Sequence, residues 1–153
     1  MKTRDILFVI YPGFELLDLS GPVSVFSTAN ALRKTANNKK PPYQIHTLSM
    51  DAGLITSSAS LEVNSQAAAS ITITADTTIL VVGAGAPAIH QASNNVALQE
   101  WLRKHCHEAE RIGSICSGAF ILAAAGLLEN RMATTHWAGC NRLAKMYPKV
   151  NLK

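Results

Sequence analysis

The sequence lacks any hydrophobic segment long enough to cross a membrane. A membrane-spanning helix needs ~20 apolar residues, and no run in this chain approaches that length. The apolar run from Ile6 to Tyr11 is too short for the hydrophobic region of a signal peptide, and no small-residue cleavage site accompanies it. We therefore expect a protein that makes no membrane contact and stays in the cytoplasm.

Cysteine is also scarce, and its arrangement excludes a disulfide framework. The three cysteines are an odd number without regular spacing, which is typical of reduced thiols in a cytoplasmic protein. The run His105-Cys106-His107 does not favour a metal site, because consecutive residues of a helix point in different directions. The segment Gly83-Ala84-Gly85 lacks the third glycine and the later acidic residue of a dinucleotide-binding fingerprint. We therefore expect neither a metal ion nor another cofactor.

Charged residues are few, at 16% of the chain, and the basic ones form no continuous stripe. The 14 lysines and arginines exceed the 10 acidic residues, which gives a net charge of +4, but the only tight basic pair is Lys39-Lys40 in a Pro/Asn-rich loop. Nucleic-acid-binding domains cluster their basic residues on one face or along one helix. Direct DNA binding by this segment is therefore not expected.

The sequence does contain buried strand patterns that alternate with helical ones. With 153 residues, 48% of them hydrophobic, the chain suits one domain with a single core. Continuous apolar runs predict strands buried on both faces, and apolar residues at helical spacing predict helices. These patterns place strands at 6–10, 43–49, 78–82 and 111–115, a small hairpin at 55–63, a polar loop at 36–42, and helices at 18–33, 94–106, 117–128 and 137–147.

This alternation predicts an α/β fold whose mostly parallel sheet is covered on both faces. We expect the runs 6–10, 78–82 and 111–115 to be neighbouring parallel strands. Residues 149–153 have the pattern of a strand that has just begun. We therefore expect residues 1–153 to form a single domain that stops before its last strands.

The segment Ser114-Ile115-Cys116-Ser117-Gly118 lies between an apolar strand and an apolar helix. It is a close relative of the G-x-S-x-G nucleophile elbow, with cysteine as the nucleophile. A tight turn would lift the sulfur out of the sheet, and the free amides and dipole of the next helix would favour the thiolate. The Ser117 amide, with amides of residues 83–85, would then hold an oxyanion.

Cysteine is often only a small buried apolar residue, which is the alternative interpretation of Cys116. Its position between strand and helix, with Gly118 two residues later, favours a site. Cys106 lies late in a predicted helix and Cys140 lies in a polar helical stretch, so we interpret both as packing residues.

Three blocks of the sequence resemble the DJ-1/PfpI superfamily of class I glutamine amidotransferase-like domains. The blocks are residues 8–22 (FVIYPGFELLDLSGP), 115–128 (ICSGAFILAAAGLL) and 131–137 (RMATTHW). Their order and spacing are similar to those of the branch that holds isocyanide hydratases and the N-terminal domains of AraC-type transcription regulators. The resemblance implies a flavodoxin-like three-layer sandwich with a mostly parallel sheet and a nucleophile elbow.

The resemblance also implies site residues. Asp18 matches the acidic residue that lies against the thiol, where a partly desolvated, protonated carboxyl would donate to the thiolate; the alternative is an N-cap of the next helix. Gly83, Gly85, Ser117 and His136 are expected at the ligand pocket, although His136 has an equal claim to be a helix cap. Ser117 stands where protease-like members carry histidine, so peptidase activity is not expected.

Two functions follow from the resemblance. The first is the ligand-sensing domain of an AraC-type regulator, which would bind a small metabolite such as an amine or amino-acid derivative at the Cys116 pocket, with vestigial catalysis. Such a domain would form a homodimer and reach DNA only through a C-terminal domain absent from this chain. The second is a cysteine-dependent hydratase or hydrolase of the isocyanide hydratase type. In it Cys116 would attack the substrate carbon and Asp18 would manage a proton.

Overall fold

A computed structural model describes residues 2–37 and 40–153. Its elements follow one another along the chain largely as alternating strands and helices. The helices are α1 (Leu16–Asn37), α2 (Ala86–Ser93), α3 (Val96–His105), α4 (Ala119–Ala124) and α5 (Cys140–Met146). The strands are β1 (Arg4–Val9), β2 (Tyr43–Ser49), β3 (Gly53–Thr56), β4 (Glu62–Ala67), β5 (Thr77–Val81), β6 (Arg111–Ser114), β7 (Met132–Ala133) and β8 (Asn151–Leu152).

The main sheet has six strands in the order β3-β4-β2-β1-β5-β6. Its strands pair in parallel except β3, which forms an antiparallel hairpin with β4 in which Ile55 faces Val63. Leu7 of β1 pairs with Ile79 of β5, and Ile79 pairs with Ile112 of β6. The prediction that the three apolar runs are neighbouring parallel strands is therefore confirmed, as are the hairpin and the α/β fold class.

Burial explains why the central strands are continuous apolar runs. Phe8 and Val9 of β1 and Ile79 and Val81 of β5 are each no more than 2% exposed, because helices and loops cover both faces of these strands. Helix α1 lies against β2, and its Phe26 ring meets the ring of Phe8 edge-on. Helix α4 packs on β5 and β6 and contacts α2 and α3.

The helices differ from the predictions mainly at their ends. Helix α1 begins at Leu16, two residues before the predicted start, so Pro22 lies inside the helix and leaves the Asp18 carbonyl without its usual i+4 amide partner. It also continues to Asn37, into the predicted polar loop, and Lys39 of the predicted basic pair lies outside the described residues. Helix α4 is much shorter than the predicted 117–128 helix, since it ends before Gly126, which has a φ of +77°.

Three loops meet at the carboxyl ends of β1, β5 and β6, where a sheet of this kind places its ligand sites. The amide of Glu15, after β1, donates to the carbonyl of Gly83, after β5, at 2.8 Å. Phe14 forms an isolated antiparallel bridge with Ala84. The amide of Ile115, after β6, donates to Val81 at 2.9 Å. These bonds hold the three loops at one edge of the sheet.

Candidate functional site

The turn after β6 places Cys116 in a strained conformation. Its φ is +53°, a left-handed value that costs a residue with a side chain roughly 1–2 kcal/mol. Cys116, Ser117 and Gly118 form one 3₁₀ turn, which leads directly into α4. A side chain at Gly118 is excluded, because a Cβ there would lie 2.3 Å from the carbonyl oxygen of Val81. Cys116 thus lies in a strained turn between a strand and a short helix.

Ser117 ties this turn to the loop after β5. Its hydroxyl donates to the Ala84 carbonyl at 2.7 Å and accepts from the Ala84 amide at 2.8 Å. On the other side of the turn, the Thr135 hydroxyl donates to the Cys116 carbonyl at 3.0 Å. The Ala84 amide is already bonded to Ser117, so it is not free to bind an oxyanion. Of the amides predicted to bind one, those of Ser117 and of residues 83–85, the Ala84 amide is therefore excluded.

Asp18 lies beside Cys116, and Gly83 makes the approach possible. A Cβ on Gly83 would lie 2.5 Å from Asp18 Oδ2, 2.9 Å from the Ile115 carbonyl oxygen and 3.0 Å from the Cβ of Cys116. Asp18 occupies the first turn of α1 rather than the position before it, so the alternative N-cap role is wrong. Its Oδ2 is buried without a hydrogen-bond partner among residues 2–37 and 40–153.

The two groups affect each other's ionisation. Burial raises the pKa of the Asp18 carboxyl above its ordinary 3.8; the Cys116 thiol opposes this shift, the charge of Glu15 adds to it, and His136 opposes it. Burial also raises the pKa of the Cys116 thiol above its ordinary 9.0. The Ser117 amide, which donates to the sulfur, opposes that shift, and Asp18 adds to it by charge and by hydrogen bonding.

The prediction of a lowered pKa for Cys116 is therefore wrong, although the Ser117 amide acts in the predicted direction. Helix α4 has only six residues and is preceded by a 3₁₀ turn, so its dipole is small. Desolvation and the Asp18 charge outweigh the Ser117 amide. Cys116 is thus a thiol that keeps its proton, next to a carboxyl whose proton is also held more tightly than usual.

A cleft of about 500 Å³ opens over this pair. It brings together the predicted residues Asp18, Gly85, Cys116, Ser117 and His136. The predicted Gly83 is buried behind the cleft, where its missing side chain leaves room for Asp18. Sequence reasoning gave no role to other lining residues from the loop after β1 and from α2, α4 and α5, which include Glu15, Ile89, Phe120 and Arg142.

His136 caps a helical turn and also lies on the wall of the cleft. Its Nδ1 accepts from the Ala138 amide at 3.3 Å and so caps the short 3₁₀ turn of residues 137–139. Its side chain also lines the cleft, and the centre of its ring lies 5.4 Å from the centre of a ring of Trp137.

Of the lining residues without a predicted role, Glu15 has a signal in the sequence, since it stands three residues before Asp18 in the first of the three blocks.

The other cysteines show no comparable arrangement. Cys106, Cys116 and Cys140 are all free thiols. The Cys106 and Cys140 thiols donate to backbone carbonyls within their own helical turns, at 3.1 and 3.7 Å.

Within the described ranges, no group of three or more His, Cys, Asp or Glu side chains is arranged to hold a metal ion. No helix of that part of the chain is long and apolar enough to cross a membrane.

Known proteins with similar sequences include regulators and an enzyme. An uncharacterized protein from the cpoL 5′ region of Streptomyces lividans is 34% identical over 94% of both chains. The HTH-type transcriptional regulator CdhR of Pseudomonas aeruginosa is 31% identical over 98% of this chain and 42% of its own. Isonitrile hydratase of Pseudomonas putida is 28% identical over 88% of this chain and 53% of its own. The chain thus spans about half the length of the named regulator and enzyme.

Solved structures place the fold in the same group. A THiJ/PfpI family protein from Pseudomonas syringae matches 99% of this chain and 57% of its own, with a TM-score of 0.81 and 24% identity. An AraC family transcriptional regulator from Pseudomonas putida matches 98% of this chain and 76% of its own, with a TM-score of 0.71 and 21% identity. The sequence profile of the DJ-1/PfpI family matches residues 4–150. The chain therefore belongs to the DJ-1/PfpI family.

Proposed function

We propose that this chain is the ligand-sensing domain of an AraC-type transcriptional regulator and binds a small metabolite in the Cys116 cleft. The observation that carries the proposal is the cleft itself, which lies at the carboxyl ends of parallel strands in a domain related to HTH-type regulators. Its volume of about 500 Å³ lies within the range of sites for small molecules. Glu15 and Asp18 on its wall suit an amine or an amino-acid derivative.

Cys116 serves such a domain as part of the binding surface. Its raised pKa leaves little thiolate at neutral pH, and Ser117 rather than histidine follows it, so no imidazole at that position removes its proton. Binding without turnover is what a sensor requires. DNA contact then belongs to a separate C-terminal domain, and the free thiols suit a cytoplasmic protein.

The regulator would act as a homodimer, and α1 offers a surface for it. Leu17, Val25 and Leu32 are each about 70% exposed and are spaced by eight and seven residues, which places them on one face of the helix. A second copy of the chain that packs on this stripe would bury all three. Sedimentation equilibrium should then give a dimer for the wild type and a monomer for Leu32→Glu.

A ligand screen tests the sensing role. Amines and amino-acid derivatives would be tested for an increase in Tm of the intact protein, since a ligand that binds only the folded state stabilises it. Ala138→Trp, which narrows the cleft, should abolish any increase. Ala144→Trp, on an exposed position of α5 outside the cleft, should leave it unchanged. Ligands that stabilise both variants equally would place binding elsewhere and contradict the proposal.

A hydratase of small molecules is the second candidate, and the Asp18–Cys116 pair favours it. The sulfur would add to the isonitrile carbon while the thiol proton passes to that carbon by way of Asp18, which gives a thioimidate; water would then add to the same carbon, expel the sulfur with a proton and release the N-substituted formamide. The test is incubation with an isonitrile, followed by NMR. Formamide that forms with wild type but not with Cys116→Ala favours the enzyme, whereas bound, unchanged ligands favour the sensor.

A further inference from the structure

We propose that Glu15 and Arg142 make the cleft selective for a dipolar ligand, one that carries a cationic nitrogen and an anionic group such as a carboxylate. The inference rests on the proposed binding function and specifies what that site accepts. Both side chains line the cleft but come from different elements, the loop before α1 and helix α5. A ligand in the cleft therefore meets the Glu15 carboxylate, on the same side as Asp18, and the Arg142 guanidinium from another element.

The Arg142 guanidinium is available to a ligand. Its central carbon lies 5.9 Å from the centre of the Phe120 ring, a cation–π arrangement that holds the group over the cleft wall. A Cβ on Gly139 would come within 3.1 Å of that ring, so the glycine leaves room for it. No ion pair within residues 2–37 and 40–153 involves Arg142. A planar guanidinium without a carboxylate partner is well suited to bind one.

The Glu15 carboxylate is held in place but not neutralised. Its Oε2 accepts from the Ser58 hydroxyl at 3.0 Å, and its Oε1 lies 3.5 Å from the Leu17 amide. The β3–β4 hairpin that carries Ser58 also donates the Ser58 amide to the Phe14 carbonyl at 2.8 Å, which fixes the loop. In the described part of the chain, no lysine, arginine or histidine forms an ion pair with Glu15.

A dipolar ligand is the class that satisfies both groups at once. Two separate unpaired charges in one cleft each favour the opposite charge on a ligand. A purely cationic molecule leaves Arg142 unpaired and is repelled by it. A purely anionic molecule leaves Glu15 unpaired and is repelled by that carboxylate. A ligand with an ammonium group near Glu15 and a carboxylate near Arg142 is attracted by both side chains.

Charged thiol reagents that react with Cys116 measure the electrostatic effect of Glu15 and Arg142 in the cleft, and they do so without a known ligand. The rates at which an anionic and a cationic methanethiosulfonate modify Cys116 would be compared at low salt by peptide mapping, with Cys106 as internal reference. The ratio of the two rates is independent of the thiolate fraction, because both reagents need the same thiolate. Arg142→Gln should lower the anionic-to-cationic ratio about threefold to tenfold, and Glu15→Gln should raise it by a similar factor. Lys145→Gln, on α5 but not on the cleft, should change it less than about twofold.

Competition then tests the ligand class. ω-Amino acids of graded length, each beside the alkanoic acid and the alkylamine of the same length, would be used to protect Cys116 from iodoacetamide. An amino acid should protect at lower concentration than either matched partner, and Arg142→Gln should remove its advantage over the amine. Unchanged reagent ratios in both charge variants, or equal protection within every matched set, would overturn the inference. A failed metabolite screen would instead count against the sensing role, because the reagent ratios do not depend on it.

Discussion

A single hydroxyl, that of Ser117, satisfies both backbone groups of Ala84. It donates to the carbonyl at 2.7 Å and accepts from the amide at 2.8 Å. Ala84 follows β5 and Ser117 follows β6, so the two bonds fix the distance between the loops that form the floor of the cleft. The position after the cysteine therefore has a structural task in this chain, which explains why a small hydroxyl residue occupies it.

Replacing Ser117 with alanine should destabilise the protein. The Ala84 amide and carbonyl would lose their partner while remaining buried, which typically costs about 1–3 kcal/mol. Urea unfolding of Ser117→Ala measures the loss. Ser70→Ala removes a single exposed hydroxyl bond to Ala67 and should cost no more than roughly 0.5 kcal/mol. Equal stability of the two variants would mean that the Ser117 bonds contribute nothing.

Gly83→Ala should disturb both the fold and the site. The new methyl group would lie 2.5 Å from Asp18 Oδ2 and 2.9 Å from a backbone carbonyl, so the two loops must separate at a cost of about 1–3 kcal/mol. Gly85→Ala is the matched control, because a Cβ there has no atom within 4 Å. Thermal unfolding of both variants checks the contrast, which would be refuted by a Gly83→Ala protein as stable as Gly85→Ala.

The order and pairing of the central strands could be predicted because burial on both faces leaves a continuous apolar run, as at 6–10 and 78–82. Helix α2 (Ala86–Ser93) could not, since Gly83, Gly85 and Pro87 are residues typical of loops. In fact Gly85 occupies the N-cap and Pro87 lies in the first turn, where proline is tolerated. The early start of α1 is hidden for a related reason, because proline is typical of the first turn of a helix and Pro22 lies further inside this one.

At the candidate site, the placement of the residues could be predicted from sequence and their pKa values could not. The positions of Cys116 and Asp18 follow from recognisable blocks, and the structure brings both to one cleft. Whether the pKa of Cys116 is raised or lowered depends on how deeply the thiol is buried and on the length of the next helix. Neither quantity can be read from the residues around Cys116 in the sequence. Arg142 could not be found either, because α5 reaches the cleft through tertiary packing alone.

The strain at Cys116 should appear as a difference between two replacements. Both Cys116→Gly and Cys116→Ala remove the thiol, but only glycine adopts a φ of +53° without steric cost. We expect the glycine variant to be more stable than the alanine variant by about 1 kcal/mol, as measured by urea unfolding. The reverse order would mean that the turn relaxes and stores no strain.

Asp18→Asn should change how stability depends on pH. Because the folded-state pKa of Asp18 is raised above 3.8, the folded protein retains a proton that the unfolded chain releases as the pH rises. The free energy of unfolding of the wild type therefore falls between pH 3.8 and the raised pKa and stays lower above it. The stability of Asp18→Asn relative to wild type should increase as the pH rises through that window.

Denaturant unfolding at several pH values measures this difference for each protein. Asp51→Asn, at an exposed aspartate outside the Cys116 cleft, is measured in parallel as the control for an aspartate-to-asparagine replacement. A stability difference between Asp18→Asn and wild type that does not vary with pH would contradict the raised pKa of Asp18.

The coupling of Asp18 to Cys116 is the centre of this account, and the pH dependence of Cys116 alkylation tests it most directly. The rate of reaction with iodoacetamide, followed by peptide mapping, gives the midpoint for thiolate formation at Cys116 in wild type and in Asp18→Asn. We predict a wild-type midpoint above 9.0 and a lower one in the variant, because the charge and hydrogen bond of Asp18 both raise the pKa of the thiol. Identical midpoints in the two proteins, or a wild-type midpoint below 9.0, would contradict the account.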